Sequence, residues 1–313
     1  GRRLMLPPAF RSSGDLLADR RYDYAMAAKA DGDLAAAADL LAQALEIAPG
    51  WAAGWFALGE VEAGRGAAEP AAQAFRRALA IDPADTLGAR LMLARLGMDD
   101  PGQAMSPAYV TALYEDYAPR FEEALRRRLS YRGPEILLDA VTRACAAENR
   151  PLRFGTMLDL GCGTGLAGEV FAPVAGAIDG VDLSARMADQ ARRRQAYRSV
   201  AVGDLGAFLC GREAGVADLV AAADVFIYCA DIAAILREAG RVLSPGGLCT
   251  FTVETHGGEG VVLGAALRYA HGDATVRAAL AAGGLRPLLV EPAAIRQEAG
   301  EPVPGLCVVG AKG

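Results

Sequence analysis

Apolar and polar positions follow two different rhythms along the 313-residue chain. From residue 16 to residue 98 apolar and small residues recur at helical spacing, and the segment holds aligned turns: APG at 48–50 matches DPA at 82–84, a period of 34 residues. MDDPGQAMSP, residues 98–107, has the proline, glycine and aspartate content of a linker. Residues 106–147 read as two or three helices, with Tyr114, Tyr117, Phe121 and Leu125 on one face. After Pro151 the rhythm changes to short apolar runs separated by amphipathic stretches. It predicts strands at Thr156–Leu160, Ala177–Asp182, Arg198–Val202, Ala217–Ala222, Leu248–Glu254, Pro287–Glu291 and Leu306–Val309. Helices are predicted between the first six of these. Strands alternating with helices imply a mostly parallel, doubly wound sheet with right-handed crossovers. The last two strands lack a helix between them, so an antiparallel edge hairpin is expected at the end.

The 34-residue period is the length of a tetratricopeptide repeat. Trp55, Leu58, Gly59, Gly66, Ala71, Phe75, Ala78 and Pro83 fall where that helix-turn-helix unit wants large, small and terminating residues; Tyr24, Ala25, Gly32, Ala37, Leu41, Ala44 and Pro49 do so in the unit before. Leu87 to Leu96, ended near Gly97, supplies one further apolar helix to cap the stack. The expected organisation is a disordered segment at 1–15, two repeats plus cap at 16–98, a linker at 99–107, a helical lid at 108–150 and a ligand-binding α/β domain at 151–313.

Chemistry concentrates in MLDLGCGTGLAGEV, where a buried strand runs into Gly161, Gly163 and Gly165 and then into a helix. Glycines there allow a ligand to approach the backbone, at the strand ends where open α/β sheets bind ligands. The same glycines would also serve a bare tight turn, and dinucleotide sites carry similar loops. Asp159 separates the readings. A carboxylate at the loop entrance suits a cofactor's ammonium group and poorly serves a pyrophosphate, which wants donors. Asp182, closing the second strand, can accept from both ribose hydroxyls, or simply cap a helix. Asp204 suits an adenine amino group with the Leu205 backbone beside it, or forms a turn.

These residues resemble class I S-adenosyl-L-methionine (SAM)-dependent methyltransferases: DLGCGTG, the acid of GVDLS, the GD of VAVGDL and the GRVLSPGG turn, over roughly residues 105–313. With the repeats ahead and FTVET, RYAHGD and IRQEAG behind, the chain resembles the bacterial subfamily that joins tetratricopeptide repeats to a methyltransferase domain. The resemblance implies a Rossmann-like seven-stranded sheet with the last strand antiparallel, and SAM lying across Gly161 to Gly165 with Asp182 on its ribose. Leu160 and Cys162, next to the glycines, and Leu183, next to Asp182, complete that stretch. Met187 would flank the adenine, unless it is plain core. The helices at 106–147 resemble the lid of small-molecule methyltransferases, which would bring Tyr117 to the cofactor and Tyr114 to the acceptor.

Methyl transfer from a sulfonium is an in-line displacement, and positioning alone can supply up to about 7–11 kcal/mol. A base adds roughly 10²–10⁴ in rate where the acceptor must lose a proton. The chain has two histidines. His256 follows the fifth strand and His271 precedes an amphipathic helix, so each is a candidate base or a packing residue. Tyr228, after the fourth strand, is a candidate pocket wall or a core tyrosine. Residues 114–121, 226–230 and 254–272 are expected to enclose the acceptor, and the lid favours a small molecule.

Composition narrows the partners. A formal net charge of -6 argues against nucleic acid, whose binding relies on clustered Lys and Arg. Six cysteines lie scattered without metal-ligand spacing, so no metal site and no disulfide framework is expected. No apolar run reaches the roughly 18 residues of a membrane helix, and a cytoplasmic protein is the expectation. Two rivals stand beside a small-molecule methyltransferase. One is a repeat scaffold or protein methyltransferase whose repeats recruit a protein or peptide; the other is an NAD-dependent oxidoreductase, which would need the loop to hold pyrophosphate despite Asp159.

Overall fold

The computed structural model describes residues 12–118, 131–298 and 301–313. The chain forms two compact units, Gly1–Asp116 and Tyr117–Gly313. The division falls within the helix Pro107–Tyr117.

The first unit is helical. It comprises α1 (Leu16–Ala30), α2 (Leu34–Ile47), α3 (Ala52–Gly64), α4 (Ala68–Ile81), α5 (Ala89–Arg95) and α6 (Pro107–Tyr117). α1 packs on α2, α3 on α4, α2 on α3, and α5 on α4. The 34-residue period is visible as geometry: Gly32 and Gly66 take φ +85° and +78° in equivalent turns, and α2 and α4 stop at the equivalent residues Ala48 and Asp82. Small residues set the helix spacing. A Cβ on Gly59 would lie 2.6 Å from the Phe75 ring, which itself meets Phe56 edge-on at 5.3 Å between centroids. Asp15 and Asp33 cap α1 and α2 by accepting from main-chain N–H groups of the first turn, each cap being worth about 1 kcal/mol. Buried Asp85 does the same for α5, accepting from Ala89 N at 2.5 Å and Arg90 N at 3.1 Å.

The second unit is a doubly wound α/β sheet. It opens with α7 (Gly133–Ala147), then runs β1 (Phe154–Leu160), α8 (Leu166–Phe171), β2 (Ala175–Asp182), α9 (Ala185–Arg192), β3 (Ser199–Val202), α10 (Leu205–Cys210) and β4 (Ala217–Ala222). After a 3₁₀ turn at Phe226–Tyr228 come α11 (Ile232–Val242), β5 (Leu243–Thr255), β6 (Val261–Leu263), β7 (Tyr269–His271), α12 (Asp273–Ala282), β8 (Leu285–Glu298) and β9 (Glu301–Lys312). Strands pair in parallel in the order β3-β2-β1-β4-β5. β9 lies antiparallel between β5 and β8, so the final two strands form the expected antiparallel hairpin, with the last strand inserted.

All seven expected strands are present, most of them longer than their apolar runs. Two strands of three residues were not anticipated, β6 and β7, because neither is long enough to show a period of two. β7 takes over pairing with β5 at Glu254, the residue where β9 leaves. His271 therefore ends a strand, and Gly272 stands between it and α12.

Alternation along the strands builds two cores. Leu158, Leu160, Val220, Ala222, Phe251 and Val308 face one layer with Leu236 and Leu280 from α11 and α12. Met157, Leu219, Ala221, Leu248 and Val309 face the other with Leu137, Val141 and Phe171 from α7 and α8. Asp159 shares the parity of Met157 and so points toward the second layer.

Candidate active site

The parallel register brings the carboxyl ends of β1, β2, β4 and β5 together, and the glycine loop sits at their centre. Gly161, Gly163 and Gly165 all have positive φ, +65°, +54° and +92°, a region costly for residues with a Cβ. Close approach adds a second reason at Gly161, where a Cβ would lie 2.5 Å from Val225 Cγ2. Cys162 is buried, its N–H donating to Val181 O at 2.9 Å, and Leu160 is core. Thr164 Oγ1 is buried without a hydrogen-bond partner among the described residues.

Asp182 is tied to this loop. Its Oδ2 accepts from Gly163 N at 2.9 Å and its Oδ1 from Ser184 N at 2.8 Å, so the carboxylate bridges the end of β2 and the glycine turn. Ser184 then caps α9, accepting from Met187 N at 3.1 Å. Leu183 is half-buried, and Met187 is fully buried, the setting of a core residue. Asp204 is exposed and caps α10 by accepting from Ala207 N at 3.0 Å, with Leu205 buried behind it.

Asp159 has the least ordinary surroundings. It is 1% exposed, and no Arg or Lys pairs with it among the described residues. Burial, helped by the charge of Asp182 and opposed by a hydrogen bond from Tyr197, pushes its pKa up to about 7. The Tyr197 hydroxyl donates to Asp159 Oδ2 at 2.5 Å and accepts from Gly168 N at 3.0 Å. From the same connection, Arg194 donates through Nε to Thr164 O at 2.5 Å and pairs with Glu169. Neither Tyr197 nor Arg194 was anticipated from the sequence, because RRRQAYRS shows no period and no motif.

The far wall follows β4. Val225 touches the glycine loop, the 3₁₀ turn carries half-buried Tyr228, and Cys229 O meets His271 Nε2 at 3.0 Å. His271 is 0% exposed, and its Nδ1 has no hydrogen-bond partner among the described residues. With Nε2 against a carbonyl the ring must carry its proton there, leaving Nδ1 as an acceptor. Burial lowers the imidazole pKa below its ordinary value; the Cys229 and Ala230 backbone opposes this and His256 adds to it. His256 is engaged differently: Nδ1 accepts from Gly258 N at 3.1 Å and Nε2 lies 3.3 Å from Gly260 O, so the ring folds back on its own loop.

An ion-pair cluster backs this wall and was also missed. Buried Arg296 on β8 pairs with Asp224 after β4 and with Glu254 at the end of β5, and Arg268 reaches Glu254 at 2.6 Å. An arginine at an inward position of an alternating strand, IRQE, was the available signal. The Tyr131 hydroxyl is 3.4 Å from Ala223 O, and burial followed by the charges of Asp224 and Asp159 raises its pKa.

The Tyr117 side chain and residues 119–130, including Phe121 and Leu125, lie outside the described residues. Ala118 O accepts from Gln190 Nε2 at 3.0 Å, which places that point of the chain on α9. Tyr114 belongs to the helical unit.

Residues 158–251, from the middle of β1 through the glycine loop to the middle of β5, match the family model described as a methyltransferase domain. Over 105 residues the chain is 33% identical to a malonyl-(acyl-carrier protein) O-methyltransferase of Salmonella typhimurium, covering 34% of this chain and 41% of that one. It is 31% identical over 105 residues to a ubiquinone biosynthesis O-methyltransferase of Caulobacter vibrioides, covering 33% of this chain and 42% of that one. The chain thus matches about two fifths of the length of these curated relatives. The crystal structure of the cyclase SpnF superposes with a TM-score of 0.51 at 18% identity, over 65% of this chain and 94% of that one. That neighbour is a cyclase, and a shared fold does not by itself specify a reaction.

Among the described residues no helix is long and apolar enough to cross a membrane, and no cluster of His, Cys, Asp and Glu could hold a metal ion.

Proposed function

We propose that the α/β unit of this chain is a SAM-dependent methyltransferase acting on a small-molecule acceptor. The observation that carries the reading is the union, at one end of the sheet, of a positive-φ glycine turn with two carboxylates in different states. Asp182 is oriented by main-chain donors from the loop and from α9, which suits ribose hydroxyls. Asp159 is buried without a cation, which suits the ammonium group of the cofactor's amino-acid end and disfavours pyrophosphate. The buried Thr164 hydroxyl adds an orphan polar atom in the same loop. When bound, the cofactor supplies an electrophilic methyl group. Gly161, Gly163 and Gly165 let it approach; Leu160, Cys162, Leu183, Asp204 and Leu205 line the stretch expected to enclose it, with Met187 beneath and Tyr117 from the lid.

His271 is the preferred base of the three candidates. Its Nδ1 is an unsatisfied acceptor held in a fixed tautomer, whereas His256 spends both ring nitrogens on its own loop. A protic acceptor, a hydroxyl or an amine, would pass its proton to Nδ1 as it attacks. Tyr228, on the turn that presents Cys229 to His271, would form part of the acceptor wall. The malonyl and ubiquinone relatives, both O-methyltransferases by name, favour a hydroxyl or carboxyl oxygen. The helical unit, with two 34-residue helix pairs and a cap, is read as a tetratricopeptide-type array that binds a protein or peptide partner, and the enzyme as cytoplasmic.

Calorimetric titration of S-adenosylhomocysteine and of NAD tests the cofactor. The expected result is one-to-one binding of S-adenosylhomocysteine, weakened roughly 10- to 150-fold in Asp182→Ala by loss of hydrogen bonds to a charged group. Binding of NAD instead, or of neither by folded protein, would overturn the reading.

A further inference from the structure

Tyr197 occupies a place that no glycine motif accounts for. Its ring fills space that three glycines leave open: a Cβ would lie 3.0 Å from the ring at Gly165, 2.4 Å at Gly168 and 2.9 Å at Gly180. The hydroxyl at its tip joins the Asp159 carboxylate to the Gly168 N–H. One side chain thus touches the loop entrance, the loop exit, the start of α8 and the middle of β2. An ordinary core aromatic would pack against apolar side chains and would not need three neighbours to lack a Cβ.

We propose that Tyr197 is a positioning residue for the amino-acid end of the cofactor, holding the Asp159 carboxylate in place and ionised while its ring seats the turn from Gly165 to Gly168. This rests on the cofactor reading above. A phenol that accepts from Gly168 N has its proton committed toward Asp159, and that bond favours the charged carboxylate. Of the other titratable groups facing Asp159, Asp182 opposes ionisation through its charge, whereas Cys162 beside it in the loop and Tyr131 from the segment before α7 have raised pKa values and stay neutral. Tyr197 is the one group among these that donates to the carboxylate. Binding a ligand ammonium against Asp159 requires the ionised form, so affinity falls as pH drops through about 7, the value at which burial leaves Asp159 half-protonated.

The experiment compares two ligands by calorimetry on the full chain: S-adenosylhomocysteine, which carries the amino-acid end, and methylthioadenosine, which lacks it. Tyr197→Phe keeps the ring and removes the hydroxyl. It is expected to weaken S-adenosylhomocysteine roughly 5- to 30-fold at pH 7 and to move the pH midpoint of binding upward, so that the deficit narrows toward about pH 8.5. Methylthioadenosine should bind equally well to both proteins, with no midpoint near pH 7. In an Asp159→Asn background the Tyr197→Phe change should add little, because the effect passes through the carboxylate. Equal weakening of both ligands by Tyr197→Phe, or an unchanged affinity and midpoint for S-adenosylhomocysteine, overturns the inference while leaving the cofactor site standing. Failure of folded wild-type protein to bind either ligand overturns the cofactor reading, and this inference with it.

Discussion

The helical unit and the α/β unit bury polar groups for different ends. Among the described residues of the helical unit the buried charged side chain is Asp85, and both its oxygens are spent on the first turn of α5. Its one buried orphan among the described residues is the indole nitrogen of Trp51. In the α/β unit Asp159, Thr164 and His271 are buried at the ends of the strands, with two orphan atoms between them and one carboxylate lacking a cation. An unpaired buried polar atom costs about 1–3 kcal/mol, and in the α/β unit the two orphan atoms and the cation-free Asp159 gather at the ends of the strands. The proposed function gives these polar atoms at the carboxyl ends of a parallel sheet a ligand to meet.

The contrast can be broken in several places. The largest effect is expected at His271. His271→Gln keeps a donor toward Cys229 O and removes the Nδ1 acceptor; turnover should fall roughly 10²- to 10⁴-fold with S-adenosylhomocysteine affinity unchanged. In wild type the acid limb of kcat should titrate below pH 6.5, because burial favours the neutral ring and the rate rises as the imidazole loses its proton. A limb above 6.5, or full turnover in the variant, would remove His271 from the chemistry. Next comes Phe75→Ala in the helical unit, expected to cost about 3–5 kcal/mol by urea denaturation while sparing cofactor affinity. Gly161→Ala should cost less, about 1–3 kcal/mol, since it combines a positive φ with a clash at Val225, and most of that loss should appear as weaker cofactor binding in calorimetry. Smallest is Arg77→Ala. Its guanidinium lies 5.6 Å from the centre of the Trp55 ring at an exposed site, and the change in stability should stay under about 1 kcal/mol.

The two units also differed in how far the sequence revealed them. Helix pairs were legible from spacing, because Gly32 and Gly66, 34 residues apart, must occupy equivalent left-handed turns. The long strands were legible because each alternates between two cores; β6 and β7, three residues each, were not. Within the proposed site, the glycine loop stood out because positive φ restricts Gly161, Gly163 and Gly165 locally, and Asp159 and Asp182 because they flank it in sequence or close the next strand. Tyr197, Arg194 and Arg296 act across 38, 30 and 72 residues of chain, on Asp159, Thr164 and Asp224. Side chains whose partners come from another strand leave no local period, and only the assembled sheet brings them together.

The position of the cofactor is decisive. A crystal structure with S-adenosylhomocysteine tests this most directly. The expected density lies over Gly161 to Gly165, with the ribose hydroxyls on the Asp182 carboxylate and the amino group facing Asp159. Density elsewhere, or a ribose held without Asp182, would contradict it.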